Sequence, residues 1–426
     1  MMNAVAEALD SLKRLGSPRS LLDDARAIRP RPLRVNSHVH LPPNFSAFQN
    51  VSQLVELAAA ERLDVLGVSN YYDYDVYGEF ARLAADRGIF PLFGLEVIAL
   101  IDELVKSGVK INDPGNPGKI YICGKGIVRL APLCAEALEI LEIIRRNDSS
   151  RIREMIERLE QTLAARGMPT GITENDVIDR VVQRHGCRRE QVWLQERHVC
   201  QAFQEALFRL LPGPGRAEAI ARLLGHDRPN FSDDDAVKIQ NEIRAQLLKS
   251  GKPAFVPETF IDFDQARKMI LAFGGIPCYP VLADGTNPIT PFESPVETLI
   301  AQLRRMNFHC VEFIPVRNKP DVLSRYVRAL RDAGFIVTAG TEHNTLELIP
   351  LLPTCAGGTA IPDDVVAIFN EGARVVAAHQ FLALHGQDGF VDADGKRNER
   401  LDLVELQSLG AAVIERHQQS RRPTAY

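Results

Sequence analysis

The stretch Val35-Asn-Ser-His38-Val-His40-Leu-Pro-Pro43 decides how the rest of the chain is interpreted. It reads as a short strand that the two prolines end. Because side chains two residues apart on a strand point to the same face, His38 and His40 are predicted to emerge side by side. Two adjacent imidazoles at the end of a strand can form half of a metal site. The alternative is a pair of half-buried histidines with ordinary hydrogen-bond partners.

The composition limits the classes of protein to consider. The 426 residues carry a formal net charge of -5, which gives no support to nucleic-acid or membrane binding through bulk charge. Seven scattered cysteines without a Cys-x-x-Cys spacing indicate reduced thiols. The N-terminus resembles neither a secretory signal nor a transit peptide, and no apolar run approaches the roughly 20 residues that span a bilayer. We therefore expect a cytoplasmic globular protein.

The segments that follow the histidine strand alternate between predicted helices and strands. A helix over about residues 51–63 leads into a buried strand at 64–70, and a helix ending near residue 87 leads into a third strand at 89–98. These strands are apolar and carry polar residues only at their carboxyl ends, which is typical of a parallel α/β core. In βα barrels that end of the sheet is where active sites are built.

A long helical block interrupts this alternation. From about residue 130 to 249 the chain reads almost entirely as helix, with apolar residues at i, i+3 and i+4. The block is too long for a strand-to-helix connection, so we predict an inserted helical domain. Strands near residues 275–280, 310–315 and 335–343 then resume the earlier pattern. The predicted organisation is N-terminal helices in 1–30 (about 3–15 and 19–28), a distorted (β/α)7 barrel in 31–129 and 251–347, the insertion in 130–250, and a C-terminal helical extension in 348–426.

The ends of the predicted strands form an ordered series of motifs. They read His38-Val-His40, Asn70-Tyr71, Gly94-Leu-Glu96, Tyr121-Ile-Cys-Gly124, Cys278-Tyr279-Pro280 and Gly340-Thr-Glu342-His343. In this order they resemble the polymerase and histidinol phosphatase (PHP) family of metal-dependent phosphoesterases over roughly residues 33–345. The segments Ile172–Val177 and Glu196-Arg197-His198 resemble the insertion of the branch of that family that cleaves nucleoside phosphates.

The resemblance implies metal ligands and a cofactor. The positions of one family metal site are occupied by residues that can still ligate: His38, His40, Glu96 and Glu342. Two imidazoles and two carboxylates suit one divalent ion, Zn²⁺, Mn²⁺ or Fe²⁺. We therefore expect a single tightly held metal at the mouth of the barrel.

Three tyrosines stand where the family pattern has histidines, at Tyr71, Tyr121 and Tyr279. A phenol with a pKa near 10 is a poor ligand for Zn²⁺ or Mn²⁺ at neutral pH, so two of the family's metal sites are expected to be lost. One interpretation gives the three phenols a catalytic role, as hydrogen-bond donors that bind an anion or oxyanion around a single metal. In the other, the tyrosines fill the vacated volume.

Further residues are implied in catalysis or substrate binding. The resemblance gives Arg197, and with it His198, a place near a substrate phosphate, and it gives His343 a role beside the metal or the leaving group. Arg317 and Asn318 end a predicted strand and are candidates for the lining of the mouth.

Three functions are compatible with this pattern. The first is a phosphoesterase with a reduced, single metal site, acting on a phosphorylated small molecule. The second is a mononuclear amide or lactone hydrolase on the same barrel. The third is a catalytically inactive barrel that binds a ligand or a partner protein. The number of metals and the charge of the mouth separate these hypotheses.

Overall fold

The structure, a computed structural model, describes residues 2–25 and 31–420. Its centre is a nearly closed barrel in which seven strands follow the order β1-β2-β3-β4-β6-β7-β8, and a short β5 pairs with β3. The strands are β1 (Val35–Val39), β2 (Val65–Asn70), β3 (Phe90–Leu100), β4 (Lys119–Lys125), β5 (Ile261–Asp262), β6 (Ile276–Val281), β7 (Cys310–Phe313) and β8 (Ile336–Ala339).

The barrel strands are parallel except for β4, which runs antiparallel to both β3 and β6. The chain beyond β8 returns to β1, where the backbone nitrogen of Glu342 donates to the His38 carbonyl over 2.9 Å. The His40 nitrogen in turn donates to the Glu342 carbonyl, also over 2.9 Å. These bonds bring the first and last strands together, so the carboxyl ends of β1, β2, β3 and β8 share one mouth.

Helices surround the barrel and build the insertion. The first group is α1 (Met2–Lys13), α2 (Pro18–Ala25), α3 (Val51–Ala60), α4 (Tyr77–Asp86) and α5 (Asp102–Lys106). The insertion contains α6 (Ala135–Ala165), α7 (Glu174–His185), α8 (Glu196–Leu210), α9 (Arg216–Leu224) and α10 (Ala236–Ile243), followed by a π-helical turn at Arg244–Leu248. The last group is α11 (Phe263–Ala272), α12 (Val296–Arg305), α13 (Pro320–Asp332), α14 (Asp363–Leu384) and α15 (Leu403–Gln419).

These elements confirm the predicted barrel with a helical insertion and a helical C-terminal extension. The predicted helix at 19–28 is observed as α2, and its last residues lie outside the described part of the chain. Among the described helices, none combines the length and the apolar character that crossing a membrane requires.

Helix α6 connects two hydrophobic cores. Its first half, with Ile140 and Ile144, packs into the core of the barrel. Its second half, with Ile152 and Leu159, belongs to a separate cluster that the insertion forms with residues as far as Val256. The insertion is therefore attached to the barrel by one continuous helix, with the junction near the middle of α6.

The C-terminal extension covers the end of the barrel opposite the mouth. On α14, Asn370 accepts a hydrogen bond from the Leu33 nitrogen, just before β1, over 2.5 Å. The Gln380 amide donates to the carbonyl of Pro91 near the start of β3 over 3.0 Å. Because both contacts lie at the amino ends of strands, α14 closes the bottom of the barrel and leaves the mouth open.

We expect Gly410→Ala to destabilise the protein, because α15 packs closely on α14 at this glycine. A Cβ atom at position 410 would lie 1.9 Å from the Arg374 carbonyl oxygen, so the two helices would have to separate. Overpacking of this kind lowers the free energy of unfolding by about 1–3 kcal/mol. Denaturant unfolding measures the loss, with Gly213→Ala as the control because nothing lies within 4 Å of a Cβ there. An equal stability of the two variants would contradict the packing.

Candidate metal centre

Three donor atoms converge at the mouth of the barrel. His38 and His40, at the end of β1, direct their Nε2 atoms to one point, 3.4 Å apart. The Oε2 atom of Glu96, on β3, lies 3.3 Å from the first and 3.2 Å from the second. All three side chains are buried. The predicted pair of imidazoles is thus joined by the predicted carboxylate.

The spacing of these atoms fits a metal ion. Ligands at 2.0–2.1 Å in tetrahedral geometry are about 3.4 Å apart, close to the three separations in this triangle. Glu96 Oε2 and His40 Nδ1 are also buried without a hydrogen-bond partner among the described residues. Two imidazole nitrogens and a carboxylate oxygen at this spacing can share one cation. We conclude that His38, His40 and Glu96 fit a divalent metal.

Glycine at position 340 makes room for this arrangement. The residue follows β8, and a Cβ atom there would lie 2.3 Å from the His38 Cβ. Any larger side chain would displace the imidazole from its place opposite Glu96. The glycine of the Gly340-Thr-Glu342 motif therefore leaves the space that the His38 side chain occupies on the neighbouring strand.

A buried ion pair contacts the Nδ1 side of the His38 imidazole. The Nδ1 atom of His38 lies 2.6 Å from Glu312 Oε2, on β7, and Glu312 Oε1 lies 2.5 Å from the Lys125 ammonium, on β4. Lys125 also donates to the Ser37 carbonyl over 3.2 Å. An acceptor at Nδ1 fixes the hydrogen there, which makes the Nε2 lone pair available for a metal ion between His38 and Glu96. Sequence reasoning missed Glu312 and Lys125, although Glu312 is the one charged residue on the short strand β7.

The charge states of His38 and Glu96 depend on the residues around them. Burial opposes the charged form of His38, but the Glu312 carboxylate raises the pKa of His38 well above its ordinary value. Burial likewise opposes ionisation of Glu96, and the adjacent imidazoles of His38 and His40 lower its pKa. The arrangement therefore favours an ionised Glu96 with a positive charge beside it.

Cys123, on β4, is a further potential ligand. His38, Glu96 and Cys123 offer three buried ligand atoms within 4.8 Å of one another. The thiol, however, lies 3.9 Å from Nδ1 of His38, the ring nitrogen that faces Glu312 rather than His40. Burial raises the pKa of Cys123 to about 12, which keeps it a neutral thiol. We therefore infer that the third metal ligand is His40, and that Cys123 lies next to the metal centre without binding the metal.

Tyr71 lies directly against the three donor atoms. Its ring stacks on His40 with the centroids 5.2 Å apart, and its hydroxyl donates to Glu96 Oε1 over 3.0 Å. Burial, followed by the charge of Glu96, raises the pKa of Tyr71 well above its ordinary value, so the phenol keeps its proton. Tyr71 therefore orients the carboxylate of Glu96, which leaves Oε2 free to face the histidines.

Glu342 has a different partner from the one that the resemblance implies. The structure pairs both of its carboxylate oxygens with the Arg317 guanidinium, with Nη1 3.0 Å from Oε1. The Asn344 amide also donates to Oε2 over 2.6 Å. Glu342 thus stays outside the triangle of donor atoms, and Arg317 lies at the mouth as expected. Because the Arg317 guanidinium neutralises the Glu342 carboxylate, the Glu342 side chain is directed towards Arg317 and not towards the histidines.

Two of the predicted catalytic residues, Tyr279 and His343, have their polar side-chain atoms bound to other residues of the protein. The buried hydroxyl of Tyr279 donates to Glu293 Oε1 over 2.8 Å, within an aromatic cluster behind β6. In His343, Nδ1 lies 2.8 Å from the Thr341 hydroxyl and Nε2 lies 2.9 Å from the Ile349 carbonyl. Both ring nitrogens are therefore occupied. These contacts occupy the polar atoms of both residues, and the catalytic roles expected from the sequence stay predictions.

Two of the predicted substrate-binding residues, His198 and Asn318, have hydrogen-bond partners within the protein. His198 Nδ1 accepts a hydrogen bond from the Gln195 nitrogen over 3.0 Å, at the start of α8, and its ring packs on Phe45. Burial lowers the pKa of His198 to about 3 and keeps it neutral. The Asn318 amide donates to the Leu282 carbonyl over 2.8 Å and to Asp284. Both side chains hold neighbouring segments together.

A cavity of about 590 Å³ opens above the donor atoms, between the barrel and the insertion. Tyr121, Arg197 and Arg317 contribute to its wall, as the sequence suggests. Arg197 donates to the Asn241 side chain over 3.3 Å and has no carboxylate partner within the described chain. Burial, together with nearby Arg244, lowers the pKa of Arg197, which indicates a cation lacking an anion. The cavity therefore lies over the three potential metal ligands and also contains the Arg197 guanidinium, which has no carboxylate partner among the described residues.

Comparison with known proteins finds similarity at the level of the fold. No family model and no curated protein matches the sequence. A solved structure described as a "putative metal-dependent phosphoesterase" from Bifidobacterium adolescentis ATCC 15703 is similar with a TM-score of 0.52 and 16% identity, over 80% of this chain and 96% of that one. An amidohydrolase from Chromobacterium violaceum, with bound sulfate and no metal, is similar with a TM-score of 0.49 and 17% identity, over 79% and 96% of the two chains. At 16% identity the likeness to the first of these structures shows a shared fold.

Proposed function

We propose that this chain is a metal-dependent hydrolase, and specifically a phosphoesterase that uses one divalent metal. The observation that carries the proposal is the triangle of His38 Nε2, His40 Nε2 and Glu96 Oε2 with edges of 3.2–3.4 Å at the base of a cavity. The similar fold of the phosphoesterase from Bifidobacterium adolescentis is in keeping with it. A metal held there would supply a bound water of lowered pKa as the nucleophile.

Three further residues of the site orient the proposed metal ligands. Glu312 and Lys125 fix the orientation of His38, and Tyr71 holds Glu96 through its other oxygen. Residues of the insertion, among them Asp148 and Arg197, line the cavity above the mouth. The single set of three donors, with Tyr71 as a proton donor beside it, supports one metal rather than several.

The charge of the cavity favours a phosphate ester over an amide or a lactone. A phosphomonoester brings negative oxygens that Arg197 can bind, since it has no carboxylate partner among the described residues. Arg317 lies on the same wall and shares its charge with Glu342. A neutral amide or lactone would leave the Arg197 charge without a partner inside the cavity.

Hydrolysis of phenyl phosphate by the protein loaded with Zn²⁺, Mn²⁺ or Fe²⁺ tests the proposal. We expect metal-dependent turnover, and a rise of about 10–100-fold in KM for Arg197→Ala, which corresponds to the loss of one charge-assisted hydrogen bond. Bound metal should be unchanged in that variant. Arg209→Ala, on the exposed side of the same helix, is the control. Turnover of amides or lactones but not phenyl phosphate, or no turnover of any ester with metal bound, would contradict the phosphoesterase.

A further inference from the structure

Helix α6 carries an acid on its buried face. Ile144 and Ile152 are both buried, one in the core of the barrel and the other in the core of the insertion. Residues four apart lie on the same side of a helix, so position 148 falls midway along this apolar stripe. The residue there is Asp148, and it lines the cavity above the metal centre. An acid at an apolar position of a helix calls for a functional explanation.

The Asp148 carboxylate makes no hydrogen bond within the described chain, and its Oδ1 atom is buried. The nearby cations are engaged elsewhere. Lys119 is paired with Asp113 at 3.3 Å and with Glu258 at 3.0 Å, while Arg151 is paired with Glu196 at 2.7 Å. Burial raises the pKa of Asp148 to about 7, as expected for a carboxylate that lacks donors. Its oxygens are therefore free to accept hydrogen bonds from a ligand in the cavity.

Aromatic residues connect Asp148 with the metal centre. Tyr71, which contacts His40 and Glu96, lies 5.7 Å from the next ring along the chain, Tyr72. Burial, followed by the charge of Asp148, raises the pKa of Tyr72. Both Tyr72 and Asp148 line the cavity. A ligand whose phosphate reaches the metal centre can thus extend along Tyr72 to Asp148.

We propose that Asp148 and the Tyr72 ring form a subsite for the alcohol part of the substrate, and that this part carries hydroxyl or amino groups. The inference rests on the proposed phosphoesterase function and adds the class of leaving group. A carboxylate repels a second phosphate but accepts hydrogen bonds from hydroxyl and ammonium groups. The Tyr72 ring offers an apolar face for the carbon skeleton between these groups and the ester.

Three phosphate esters test the subsite. Ribose 5-phosphate presents hydroxyl groups, phosphoethanolamine presents an ammonium group, and phenyl phosphate presents neither. The wild-type protein should bind at least one of the first two more tightly than phenyl phosphate. Asp148→Asn should reduce the ratio of kcat/KM for that ester to kcat/KM for phenyl phosphate by at least about 10-fold, the effect of one charged hydrogen bond. The comparison between variants cancels the different reactivities of the leaving groups.

Glu142→Gln, an exposed acid on the same helix, is the matched control and should leave the ratio unchanged. Calorimetric binding of the three esters separates the subsite from the chemistry, because selectivity in affinity can be measured without turnover. Binding selectivity that depends on Asp148, without hydrolysis, would support the subsite and overturn the phosphoesterase. An unchanged ratio in Asp148→Asn, an equal loss for all three esters, or a wild type that prefers phenyl phosphate would overturn the subsite.

Discussion

His38→Ala should remove nearly all of the bound metal and reduce hydrolysis by more than about 100-fold. The imidazole supplies one of the three atoms of the triangle, and loss of a residue that only supports a metal ligand already costs roughly 10–100-fold in affinity or activity. Its Nε2 atom lies within 3.4 Å of both other donors, so no neighbouring atom can take its place without rearrangement. Metal content after dialysis, measured by elemental analysis, checks this result.

Cys123→Ser is the matched control for that variant. The thiol is buried close to His38 but faces the edge of the ring that carries Nδ1, so its replacement should leave the metal content intact. A serine hydroxyl can still donate to Glu312, which lies 3.7 Å from the sulfur. Loss of metal from Cys123→Ser, with metal retained in a His40→Ala variant, would move the third ligand from His40 to Cys123.

Lys125→Met should lower the free energy of unfolding by about 3–5 kcal/mol. Both members of the Lys125–Glu312 pair are buried, and removal of the ammonium leaves an uncompensated carboxylate inside the barrel. Burial opposes the charge on Glu312, and the Lys125 ammonium lowers the pKa of Glu312. Without that lysine the ionised carboxylate loses the charge that most stabilises it. Unfolding in urea, followed by circular dichroism, measures the change.

The double variant Lys125→Met/Glu312→Leu separates the stability of this pair from its role at the metal centre. Replacing a buried ion pair by apolar side chains is often neutral, so much of the lost stability should return. Metal affinity should remain about 10–100-fold below that of the wild type, because His38 Nδ1 has lost its acceptor. Wild-type metal affinity in the double variant would show that Glu312 has no part in orienting His38.

Local periodicity accounts for the parts of the site that could be predicted. The two-residue repeat of a strand places His38 beside His40, and the parallel βα pattern places Glu96 at the same edge of the sheet. The barrel itself follows from apolar strands whose polar residues are confined to their carboxyl ends. These inferences need only the geometry of a strand and the order of the strands along the chain.

Partners that depend on contacts across the barrel could not be predicted in the same way. Glu342 can ligate a metal, but Arg317, 25 residues away in sequence, binds both of its oxygens. The choice between these partners depends on three-dimensional placement that no local pattern encodes. The Glu312–His38 contact spans 274 residues of sequence, and the only local signal was an acid within an apolar strand. Asp148 gave a comparable signal, as an acid within a helical apolar stripe.

The anomalous difference map of a crystal of metal-loaded protein tests the central claim most directly, since it shows how many metal ions are bound and where. The proposed site predicts one peak per chain, within bonding distance of His38 Nε2, His40 Nε2 and Glu96 Oε2, with Glu342 still paired to Arg317. Two or three peaks per chain would contradict it, and so would one peak bound by Cys123 or Glu342 instead of His40. No peak at full metal loading would contradict it as well.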